Sequence, residues 1–198
     1  MTIAALQTPG FADPVGDAQR VFRAALEALA RPTLPQPVDA RVAPPAPLAL
    51  VVGALVLTLC DEQTPVWLGS ALRAPDVAAW IRFHTGARIV DDAGDAAFCL
   101  ASPGEVPPLA SLRQGTDEEP HLSATVIVDA TGAAPAGELI ATGPGVNGSA
   151  AWDGAGLPCA LEDWSANAAR FPRGVDLLLA GEREVRGLPR TTRLRGAA

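Results

Sequence analysis

The sequence predicts a mixed α/β fold, a three-layer α/β/α sandwich with a mixed sheet, on three observations. Stretches of helical periodicity alternate with short runs rich in Val, Ile and Leu. The strand-like runs crowd toward the C-terminal end, so helices do not separate every strand from the next. Nineteen Gly and nineteen Pro punctuate the 198 residues, keeping elements short and loops many. The length suits one domain, 1–198, with a proper core.

The strongest helix signal opens the chain, in "DPVGDAQRVFRAALEALARP". Asp13 suits the N-cap and Pro14 the first turn. Val15, Ala18, Phe22, Ala25, Leu26 and Leu29 recur at helical spacing, so the expected core face is this stripe, with Arg23 and Glu27 paired four apart. Pro32 stops the helix, and residues 33–46 read as an extended, Pro-rich edge. The apolar run 47–60 is too short to span a bilayer and reads as a buried helix. "TPVWLG" (64–69) is a strand, with Trp67 either core or contact surface. Residues 74–84 form a helix stopped by Gly86. Strands follow at 87–90 and 96–100, then a weak helix at 107–115. Residues 123–130 and 137–143 read as strands joined by a hairpin-like link, 161–171 as a helix, and the stretch from Gly174 as strand, turn at Gly181-Glu182 and strand.

The net charge of −7 argues against nucleic acid or an anionic membrane as partner, since both call for a basic surface. All fifteen basic residues are Arg. A chain without Lys cannot form a lysine Schiff base or use a P-loop lysine. Cys60, Cys99 and Cys159 stand far apart among apolar neighbours, as buried free thiols of a reducing cytoplasm would. "MTIAALQTPGF" has no basic n-region, so no secretory leader is expected.

Gly143, Gly145 and Gly148 spell G-x-G-x-x-G, with acidic residues about twenty positions on. The dinucleotide fingerprint needs a helix to start inside the motif, because that helix end holds the pyrophosphate. "SAAWDGAGLP" follows instead, broken by Gly154, Gly156 and Pro158, so NAD binding is not expected. His84 and His121 have no thiols at ligand spacing, no cysteine triad is present to hold an iron–sulfur cluster, and G-x-S-x-G is missing. Two stretches suit an anion. In "WIRFHTG", Arg82, His84 and Thr85 converge if the helix ends there; the alternative is a solvated Arg82 and a His84 that complements the helix dipole. In "LPRTTRLR", Arg190 is followed by two hydroxyls; the alternative is a sheet-edge arginine. The expected site is one polar cleft of Arg82, His84, Arg190 and Thr191 for a phosphate- or phosphonate-like anion.

Six stretches in order carry a family resemblance: "DPVGDAQRVFRAALEALARP", "LTLCDEQTPVWL", "IRFHTGARIV", "TGPGV", "FPRGVDLLL" and "LPRTT". Together they resemble the PhnH family, one of the components of the bacterial carbon–phosphorus lyase core complex. One departure is Thr33 after Pro32, where the family usually has Gly. The resemblance implies an α/β/α sandwich similar to pyridoxal-phosphate transferases but without the cofactor, working as a cytoplasmic homodimer with the G, I and J subunits. It implies a transferase role in organic phosphonate catabolism: the complex joins a phosphonate to the ribose of ATP, releasing adenine and giving a ribose 1-phosphonate 5-triphosphate. It assigns no catalytic residue, so the chain is expected to be a required subunit that is not catalytic alone. The competing reading is a free-standing enzyme or binding protein for a small phosphorylated anion.

Overall fold

The computed structural model describes residues 9–197. The stretch on which the leader reading rests lies mostly outside them.

Helix α1 (Pro14–Ala30) begins as its sequence demands. The Asp13 side chain accepts the Gly16 N–H at 3.1 Å, and Pro14 occupies the first turn, where its missing N–H costs nothing. The buried face shares only Ala25 and the partly buried Leu29 with the expected stripe. Val21, Ala24, Ala25 and Ala28 face the core, whereas Val15, Phe22 and Leu26 are 68, 51 and 54 % exposed. The reason is close approach. A Cβ added to Gly187 of strand β9 (Glu184–Leu188) would lie 2.4 Å from the Ala28 carbonyl oxygen. Only small side chains fit so tight a contact, and the bulky ones turn outward. The ion pair also differs: Glu27 meets Arg31 at 3.1 Å rather than Arg23.

Helix α2 (Leu50–Leu59) is apolar all round and is buried from Val51 to Val56, as a helix packed between neighbours must be. Helix α3 (Pro75–Thr85) ends at Gly86, whose φ of 74° suits glycine. These three helices cover one face of a seven-stranded sheet. Its order is β1 (Gln36–Pro37), β9, β8 (Asp176–Ala180), β5 (Thr125–Asp129), β4 (Phe98–Ala101), β2 (Val66–Leu68), β3 (Ile89–Val90). Strands β3, β2, β4, β5 and β8 run parallel, while β9 is antiparallel to β8 and β1 to β9. Side chains alternate between faces: Leu68, Leu100, Ile127 and Leu178 pack under the three helices, and Cys99, Val126, Leu177 and Leu179 on the opposite side.

The opposite side is covered by α4 (Leu161–Ala168) and a three-stranded antiparallel sheet, β10 (Arg193–Gly196), β6 (Leu139–Thr142), β7 (Ala150–Trp152). Residues 131–138 are therefore not a hairpin link. They carry the chain from β5 in the large sheet to β6 in the small one, where β6 finds its partners among later residues. The weak helix of 107–115 reduces to a 3-10 turn at Leu109–Ser111, preceded by two prolines that donate no hydrogen bond. Among the described residues, no helix is long and apolar enough to cross a membrane.

Candidate functional site

Open α/β sheets hold ligands beyond the C-terminal ends of their parallel strands, where the strand order reverses. Here that point lies between β2 and β4, and the chain's own carboxylate occupies it. Glu105 accepts from the Ser70 hydroxyl, from the Ala71 N–H at 3.0 Å and from the Ser102 hydroxyl at 2.9 Å. The Ser70 bond is foremost in holding its carboxyl below the usual range. Gly69 makes room: a Cβ there would sit 2.9 Å from a Glu105 oxygen.

A groove lies at the other end of the strands, in the layer of α4 and the small sheet. Three loops build it: the turn after β6, the end of α4, and the turn between β9 and β10. Thr142, Gly143, Phe171, Thr191 and Arg193 line a volume of about 440 Å³. Gly143 has a φ of 127°, and a Cβ on it would meet the Thr191 carbonyl oxygen at 2.8 Å, so these two loops touch only because residue 143 is glycine. Gly145 lies as tightly on the end of α1. The fingerprint glycines therefore serve a loop between two antiparallel strands, β6 and β7, and no helix starts within it. The geometry required for a dinucleotide pyrophosphate is lacking.

The groove continues into a recess of about 390 Å³ beside His121, Pro172 and Arg190. Arg190 is a strut. Its side chain donates to Asp176 Oδ1 at 3.1 Å, to the carbonyls of Pro120 and Pro172 at 3.1 Å each, and to the Ser123 hydroxyl. Its own N–H donates to Asp176 Oδ1 at 2.7 Å. With its donors taken by these residues, it ties the starts of β5 and β8 to the turn after β9. Thr191, next in sequence, opens onto both hollows. Arg193 is exposed, and its side chain has no hydrogen bond or ion pair among the described residues.

Arg190 and Thr191 thus share a place, while Arg82 and His84 stand elsewhere. They belong to the last turn of α3, in the helical layer on the other face of the large sheet. Strands β5, β4 and β2 separate β8 from the edge strand β3 that follows α3. His84 packs edge-on against Trp80 and Phe83, with ring centroids 5.0 Å apart in each case. Trp67 is half-buried on the α4 side; its indole N–H donates to the Asp91 carbonyl at 3.2 Å, and Arg73 lies 5.7 Å from its ring. Sequence reasoning missed Arg193 and Thr142. The signal was the alternation of "RLR", which puts Arg193 and Arg195 on one face of a strand, but a strand that short is visible only once β6 pairs with it. Burial pushes the thiols of Cys60 and Cys99 up to about 12 and that of Cys159 to about 11, and all three are free. Among the described residues no cluster of three or more His, Cys, Asp or Glu is placed to hold a metal ion.

Fold and groove define a class: a mixed α/β protein whose switch-point crevice holds its own carboxylate and which carries, at the opposite end, a groove lined by threonines and an arginine. Within that class the chain belongs to the PhnH family. Residues 9–195 match the family described as bacterial phosphonate metabolism protein (PhnH). A relative from Rhizobium meliloti (strain 1021), the alpha-D-ribose 1-methylphosphonate 5-triphosphate synthase subunit PhnH, is 42 % identical over 186 residues, covering 93 % of each chain.

Proposed function

We propose that this chain is the PhnH subunit of an α-D-ribose 1-methylphosphonate 5-triphosphate synthase and serves phosphonate catabolism. The observation that carries this is the 42 % identity to such a subunit along 93 % of both chains. On this reading the chain, 1–198, acts as one domain in the cytoplasm, without a cofactor, in a complex with the G, I and J subunits, and is not catalytic alone. Its fold is read as related to pyridoxal-phosphate transferases that have lost the cofactor. The absence of Lys supports this, since no Schiff base can form, and so does the Glu105 carboxylate in the switch-point crevice.

We place the homodimer contact on the outer face of α1. Val15, Phe22 and Leu26 form an exposed apolar stripe along it, beside a shallow groove of about 280 Å³. A second copy is the occupant on grounds of charge. Two antiparallel α1 helices that set Phe22 of one against Leu26 of the other bring Arg23 of each within reach of Glu27 of the other.

The test is co-expression with the other subunits, followed by assay of phosphonate-dependent adenine release from ATP with and without this chain. Co-purification and loss of adenine release on its omission are expected. Turnover of a phosphorylated small molecule by the purified chain alone, with no association, would establish the free-standing reading instead.

A further inference from the structure

We propose that the groove between β6, β10 and the end of α4 is a triphosphate site, and that Arg193 is its principal cation. The inference rests on the synthase reading for the identity of the ligand, a ribose 5-triphosphate, but the site itself is argued from charge and geometry.

The chain carries −7 overall, yet residues 170–198 hold seven Arg against three carboxylates, leaving −11 for the remainder. An acidic protein that concentrates cations in one segment attracts an anion there. Several of these arginines are engaged: Arg190 by Asp176, Arg186 by Glu184, and Arg173 by Asp117. Arg193 is not, and Arg195 reaches only the Gly196 carbonyl at 3.5 Å. The two lie on the same, outward face of β10, because Leu194 between them is buried. Two residues of strand separate them by about 7 Å, a spacing that suits a chain of phosphates better than a single one.

The register puts Thr142 directly opposite Arg193. The hydroxyls of Thr142 and Thr191 line the groove and make no hydrogen bond among the described residues. Hydroxyl donors beside a guanidinium fork are what phosphate oxygens take. No carboxylate lines the groove, and Asp176, in the adjoining recess, is held by Arg190. A volume of about 440 Å³ exceeds what one phosphate needs and falls in the range of small-ligand sites. The Phe171 ring, 64 % exposed, forms the apolar wall for the sugar.

The experiment is titration calorimetry of the full chain with sodium tripolyphosphate, then with ATP, across a series of salt concentrations. Saturable, salt-sensitive binding is expected. Arg193→Ala should weaken it roughly ten- to a hundredfold, the loss of one charge-assisted contact. Arg193→Lys should restore part of it, and Arg88→Ala, an exposed arginine beyond α3, should leave it unchanged. Equal loss from Arg88→Ala, or no binding by a folded wild-type chain, overturns the site. Arg193→Ala in the reconstituted complex separates the two readings. If the complex forms and releases adenine at an unchanged KM for ATP, the triphosphate site is wrong and the synthase role stands. If the chain binds tripolyphosphate but never joins a complex, the site stands and the synthase role is wrong.

Discussion

Thr33 has a φ of +68°, the one non-glycine residue among those described with a positive φ. Its backbone is pinned: its N–H donates to the Gly187 carbonyl at 3.1 Å, and its own carbonyl accepts from Arg186 at 2.8 Å. Its side chain is 3 % exposed, and the hydroxyl has no partner among the described residues. Thr33→Gly therefore removes two penalties. A left-handed conformation costs a β-branched residue about 1–2 kcal/mol. An unpaired buried hydroxyl costs about 1–3 kcal/mol. Against this, glycine loses roughly 0.5–1 kcal/mol more chain entropy on folding, and the lost methyl forfeits about 0.8 kcal/mol of burial. The net expectation is a variant more stable by about 1–2 kcal/mol, or a Tm rise of about 2–8 °C at this chain length. Thermal unfolding by circular dichroism, with urea titration as a second measure, reads it. Thr33→Val keeps the strained branch and removes only the hydroxyl, so its gain isolates the hydroxyl's cost of about 1–3 kcal/mol. If Thr33→Gly is no more stable than wild type, or falls short of Thr33→Val by the full entropy and methyl loss of about 1.3–1.8 kcal/mol, backbone strain at this turn is refuted.

Gly187→Ala should destabilise by several times the usual surface substitution, since its Cβ would meet backbone of α1 at 2.4 Å; an unchanged urea midpoint would show that the helix can lift. Leu26→Asp, on the outer face of α1, should leave the monomer's fold intact and shift light-scattering mass from dimer to monomer, whereas Val21→Asp should leave little folded protein. Asp176→Ala strands the largely buried Arg190 and should cost about 3 kcal/mol in urea unfolding. Asp17, whose carboxylate accepts the Asp13 N–H and pairs with Arg20, is held below its ordinary value of 3.8, chiefly by the Asp13 bond. A lowered folded value stabilises above that range and is lost as pH falls through it, so Asp17→Asn should lower stability at pH 7 and flatten the decline below about pH 4. Cys60 and Cys99, with thiols near 12, should resist alkylation at pH 8 until the chain is unfolded.

Local signals were enough for most elements. The Asp13 cap, Pro14, Gly86 and the Gly181 turn are decided within a few residues, because caps and turns depend on side chains next to the backbone they serve. The parallel strands were legible for a similar reason: buried on both faces, they show as continuous apolar runs such as "VIV" and "LLL". The chemistry denied by missing Lys was also readable from composition alone. The face of α1 was not. Its sequence offers two apolar faces, and the choice of the alanines over Phe22 and Leu26 was made by Gly187, far along the chain. Strands β7 and β10 were invisible because they are short and become strands only through pairing with β6. The candidate site followed the same rule. Arg190 and Arg193 look alike in "RTTR", yet Asp176, Ser123 and two proline carbonyls make one a strut, while the other is left open to a groove. A side chain's partners are set by long-range packing, and no local pattern encodes them.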